Sequence, residues 1–204
     1  MLIDFQENLF IDPKMPQLKF PWPSSLPTEL LELIENAPLP GLDATPDCQA
    51  TTQRIDMVLK NSPDLRGSLT EAGMWLLAGE LNRSHEVSQK LETQAGSYWH
   101  GIMHRREGDF WNAKYWFRKV GPHPVIEQLA KHLCENSSGF VASTPLPIRE
   151  LSSPSKVSAT LVDCCARALS SQPEQASVLR RICWLEWQFL FHYGWDETAR
   201  QIKL

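Results

Sequence analysis

Apolar positions recur at helical spacing along most of the chain. In TELLELIENA, Leu30, Leu33, Ile34 and Ala37 fall at i, i+3, i+4 and i+7, the stripe of an amphipathic helix, with Thr28 placed to cap it and Pro38 to end it. Ile55, Val58 and Leu59 predict a second helix from Thr51 to Asn61. From Leu69 the pattern is continuous: LTEAGMWLLAGELN sets Leu69, Gly73, Leu76 and Leu77 on one side, where a small residue permits close packing. Ser84 is placed to cap SHEVSQKLE, and Thr93 to cap the helix after it. Asp109 opens DFWNAKYWFRKV behind Gly108, the prolines of GPHP stop it, and Pro124 starts PVIEQLAKHLCEN.

Ser153 and Pro154 read as N-cap and first residue of a helix to about Ser170, with Val157, Leu161, Cys164, Cys165 and Ala168 inward. Pro173 opens the last long helix. There Val178, Ile182, Leu185 and Phe189 repeat at helical spacing, while Trp184, Trp187, Leu190 and Phe191 widen the stripe around most of the circumference, the pattern of a central core helix. No stretch alternates with the period of a strand. The expected fold is all-α, roughly nine helices in antiparallel, repeat-like hairpins around a hydrophobic C-terminal helix.

Two segments depart from this pattern. Residues 1–27 are Pro-rich, which opposes regular helix, and form an N-terminal arm that Phe20 and Trp22 make a strap over the body. SSGFVASTPLPIRELSSPS reads as a long surface connection. The division is an arm over 1–27 and a single all-α domain over 28–204.

Composition narrows the classes. A formal charge of −4 with a pI near 5.9 makes nucleic acid an unlikely partner, and eight acids in the first 47 residues add to that. No apolar run approaches the ~20 residues that span a bilayer, and MLIDFQENLF lacks the basic start of a secretory signal, so a soluble, cytoplasmic protein is expected. Five cysteines without CxxC spacing give neither a disulfide framework nor a zinc knuckle and read as buried thiols in a reducing compartment. The vicinal pair Cys164 and Cys165 has no adjacent base and reads as core.

Candidate chemistry concentrates in GSYWHGIMHRREGDFWNAKYWFRKV. His100, His104 and Glu107 lie at i, i+4 and i+7, one helix face, where two imidazoles can grip a metal or act in acid/base catalysis with Glu107 orienting them. His85 and Gln89 share a face of the preceding helix; HEVSQ replaces the second histidine of a zinc-protease HExxH, so a protease is excluded. Arg105, Arg106, Lys114 and Arg118 bring cations, with Asn112 a further polar group, and Trp99, Tyr115 and Trp116 bring walls, the elements of a pocket for a small anion. Glu186, in CWLEWQFLF, needs a partner if buried, and a His or Arg of this stretch is the expected one.

GDFWNAKYWFRKVGPHP resembles the second helix of a tetratricopeptide repeat, with Gly108, Ala113, Phe117 and Pro122 or Pro124 in the signature places and Trp99 with Gly101 as the lock on the preceding helix. GELNRSHEVSQ overlays REGDFWNAKYW only at an offset short of that period, which favours repeat-like hairpins over a true array. The run SHEVSQKLET with GSYWHGIMHRREGDFWNAKYWFRKVGPHP, and the later EWQFLFHYGW, resembles a family of uncharacterised bacterial and fungal proteins with SYWHxxMHRRExDxxNAKYWFRxVGxHP-like text. That resemblance covers most of residues 84–124 and implies no particular activity. The functional expectation is a small anionic ligand in a His/Arg/aromatic pocket, with hydrolase or lyase chemistry by histidine as its enzymatic form. The alternative is a non-catalytic helical scaffold for a peptide or protein partner.

Overall fold

The computed structural model describes residues 20–44, 49–137 and 146–202, and in these residues every regular element is helical. Ten α-helices follow in order: α1 Thr28–Asn36, α2 Gln49–Asn61, α3 Leu69–Leu77, α4 Leu81–Ser88, α5 Gln94–Glu107, α6 Phe110–Val120, α7 Pro124–Glu135, α8 Ile148–Leu151, α9 Val157–Ser170 and α10 Ala176–Ile202. The expected all-α architecture is what the chain adopts. Among the described residues, no helix is long and apolar enough to cross a membrane.

The 27-residue α10 is the spine. It is buried on nearly every side because its neighbours surround it: α3, α7 and α9 all pack against it. Trp184, Trp187 and Phe191 stack along it at centroid spacings of 4.8 and 4.7 Å, and Trp187 Nε1 donates to Gly73 O of α3 at 3.0 Å. Phe20 and Trp22 lie across it, edge-on to Phe189 and Phe191, so the described end of the arm is a strap. Residues 1–19 of that arm lie outside the described residues.

Several local expectations are corrected. LTEAGMWLLAGELN is two helices, because Gly79 takes φ +74° and turns the chain between α3 and α4. Ser84 therefore sits inside α4, where its buried hydroxyl donates to Ala72 O and ties the two helices together. Thr28 is the first residue of α1 and caps nothing, its place being taken by Pro27. Ser153 and Pro154 belong to a turn before α9, which starts at Val157. The connection before α9 holds the short α8, pinned because Leu146 and Leu151 are buried; its residues 138–145 lie outside the described residues. Thr93 and Asp109 cap as expected, accepting from Gly96 N and Asn112 N at 3.0 Å each.

Candidate functional site

The most extensive helix pair is α5 with α6. Gly108, at φ +88°, ends α5 in a left-handed cap, Asp109 restarts the chain, and the Phe117 ring sits 3.3 Å from where a Gly101 side chain would begin. Gly101 thus packs against Phe117 of α6, while Trp99, expected to form the lock with it, lies in the core near Trp187. α4 packs on the other flank of α5.

This arrangement brings three imidazoles together. His100 and His104, one turn apart on α5, meet His85 of α4, with ring centroids 4.6 Å apart for His85–His100, 4.8 Å for His100–His104 and 5.7 Å for His85–His104. One ligand atom from each lies within 4.8 Å of the others. Glu107 Oε2 is 2.9 Å from His104 Nδ1, so it accepts that N–H, and the Asn112 amide donates to His104 Nε2 at 3.0 Å. Trp116 stacks on His100 at 4.0 Å, Ser88 Oγ lies 3.4 Å from its Nδ1, and Lys119 Nζ lies over the Trp116 ring at 4.3 Å. Burial, then the neighbouring His104, His85 and Lys119, push the His100 pKa down to about 3, so its imidazole is neutral at neutral pH.

The remaining candidates do not join the histidines, and helix geometry says why. At about 100° per residue, Arg105 points roughly 140° away from His100 and shares a side with Tyr98; both reach Glu186 of α10. Arg106 shares its side with Trp99, toward α3, where it donates to Leu76 O at 2.5 Å; Trp99 is core, packed near Trp187. The anion pocket built on Arg105 and Arg106 beside the histidines is therefore corrected: both guanidinium groups bind the interior of the fold. Gln89 is exposed at the end of α4.

α6 divides likewise into three faces. Asn112, Trp116 and Lys119 turn toward the histidines. Tyr115, expected as a wall of the pocket, instead stacks on Trp111 at 6.3 Å, the two 40% and 75% exposed. Lys114, paired with Asp163 at 2.5 Å, and Arg118 face a groove of about 520 Å³ between α6, α7 and the turn before α9. Its wall includes His123, buried, whose Nδ1 accepts from Val125 N and whose Nε2 has no partner among the described residues.

Sequence reading missed His123, whose signal was its place before Pro124 as an N-cap, and it missed the approach of Cys165 to Cys183, which no sequence spacing encodes. Cys134 is exposed, against the expectation that the thiols are buried. No family model, no curated protein and no solved structure matches this chain.

Proposed function

We propose that this protein binds a divalent first-row transition metal through His85, His100 and His104. The observation that carries it is the convergence of three imidazoles from two helices with ligand atoms within 4.8 Å. Imidazole nitrogen suits zinc, copper, nickel and iron. Metal–nitrogen bonds of about 2.0–2.1 Å set tetrahedral ligand atoms about 3.3 Å apart, so binding draws the three imidazoles closer, with the Asn112 amide giving way at His104 Nε2. Glu107 on Nδ1 of His104 is the outer partner that fixes a ligand's tautomer and raises its basicity. Three protein ligands leave a fourth position for water, which keeps hydrolase or lyase chemistry attached to this cluster: bound water, rather than a free histidine, would be the base.

The test is calorimetric titration of the metal-free protein with Zn²⁺ and Co²⁺, with Co²⁺ absorption reporting geometry. The reading expects one equivalent bound, and an affinity lowered at least about tenfold in each of His85→Ala, His100→Ala and His104→Ala. Absence of saturable binding, or affinity unchanged in His85→Ala, rejects it.

A second reading keeps the small anion and moves it to the α6–α7 groove. It rests on Arg118, whose side chain makes no hydrogen bond or ion pair among the described residues and lines that groove with Lys114. Citrate or phosphate should raise the melting temperature of the wild type and not of Arg118→Gln; equal shifts in both reject it.

A further inference from the structure

Cys165 of α9 and Cys183 of α10 come from positions 18 residues apart and place their sulfurs 3.8 Å from each other. Neither is oxidised. Cys183 is half-buried and lines a cavity of about 20 Å³ with Arg105, Arg106, Arg180 and Trp184. That volume holds a molecule the size of water and little more. Arg105 is 2% exposed, and while its Nη2 is held by Glu186, its Nη1 is buried with no partner among the described residues. A buried donor without an acceptor, on the wall of a small cavity beside a thiol, is the setting in which a negatively charged sulfur or a polar oxygen compound is stabilised.

We propose that Cys183 and Cys165 are a peroxide-reactive thiol pair, Cys183 the sulfur that attacks and Cys165 the sulfur that resolves. The Cys183 thiolate attacks one oxygen of hydrogen peroxide, the O–O bond breaks, and the leaving hydroxide takes up a proton as water, so Cys183 becomes a sulfenic acid. The Cys165 sulfur then attacks Cys183, its own proton leaves with the displaced hydroxyl as a second water, and a disulfide forms. Two thiols and one peroxide give one disulfide and two waters, the pair losing the two electrons that peroxide gains.

The division of roles follows from the surroundings. The hydrogen bond from Cys165 and the charge of Arg105 lower the Cys183 pKa against burial and against Glu186, while the same hydrogen bond and burial raise that of Cys165. Cys164 lacks this setting: its sulfur accepts from Arg167, and burial holds its thiol protonated. The pair is separate from the histidine cluster, since Arg105 and His100 occupy opposed sides of α5. Closure to a bond length of about 2.05 Å would tie α9 to α10.

The full chain is treated with graded hydrogen peroxide, free thiols are alkylated, and each cysteine is followed by peptide mass spectrometry, with exposed Cys134 as the comparator in the same digest. The wild type should give a Cys165–Cys183 linked peptide, reversed by dithiothreitol, at a rate at least about tenfold above oxidation of Cys134. Cys165→Ser should accumulate a dimedone adduct on Cys183. Oxidation of Cys134 as fast as the pair, no linked peptide in wild type, or a dimedone adduct on Cys165 in Cys183→Ser overturns the proposal. The wild-type measurements stand even if a variant fails to fold.

Discussion

Arg105 Nη2 donates to Glu186 Oε2 at 2.5 Å, with side chains 2% and 0% exposed. Tyr98, two turns before Arg105 on α5, donates its hydroxyl to Glu186 Oε1 at 3.2 Å. The Arg/aromatic segment is thereby tied to the central helix by a charge pair enclosed in the core. Glu186→Gln keeps an acceptor and removes the charge, stranding a buried guanidinium. Urea unfolding should show a loss of about 3–5 kcal/mol, while Glu186→Gln with Arg105→Met should recover much of it, since no buried charge is then left unpaired and Tyr98 still has an amide oxygen to donate to. A single-variant loss below about 1 kcal/mol would remove this pair from the list of interactions that hold the fold.

Glu107 is half-exposed, and among the described residues its carboxylate pairs with His104. On the metal reading, Glu107→Gln should weaken Zn²⁺ binding about 10–100-fold while leaving the metal-free protein's unfolding midpoint nearly unchanged. An unaltered affinity would mean that Glu107 plays no part at the cluster.

His123 caps α7 from a buried position, and burial lowers its pKa from 6.5 to about 4. The unfolded chain protonates this ring as pH falls through 6.5, while the folded chain holds it neutral until about pH 4. The unfolded state thus binds more protons across that window, and stability falls as pH drops from 6.5 to 4, by up to about 3 kcal/mol from this residue. His123→Asn retains a capping side chain and does not titrate. The difference in unfolding free energy between wild type and variant, followed from pH 7 to 4, should change by that amount; a difference constant with pH would contradict the assignment.

Gly73 lies where a β-carbon would stand 2.8 Å from Trp99 Cζ2 and 2.9 Å from Phe191 Cδ2. Gly73→Ala adds one methyl to a site where two large rings already meet, and overpacking of this kind costs about 1–3 kcal/mol. Calorimetry should show a melting temperature lowered by roughly 2–4 °C per kcal/mol. A variant as stable as wild type would mean that the rings yield without strain.

The helical class, most helix positions and the central place of α10 were legible in the sequence, because apolar periodicity and capping residues act over a few neighbouring positions. Thr93, Asp109 and Gly108 act within one turn, so their roles could be read directly. The break at Gly79 could not, since a glycine within a helical pattern is ambiguous until the packing of Ser84 on Ala72 O fixes the turn.

Within the candidate site, the i, i+4 relation placed His100, His104 and Glu107 on one face, and Glu186 needed a partner if it was buried, which only the structure decided. Which neighbour each face would meet was decided only by tertiary packing. It carried Arg105 to Glu186 and Arg106 to Leu76 O, brought His85 onto the α5 pair, and set Cys165 against Cys183 instead of leaving it paired with Cys164. Periodicity along a helix fixes the direction of a side chain relative to its own axis. The partner in that direction depends on how separate helices cross, and that depends on the shapes of all the side chains between them.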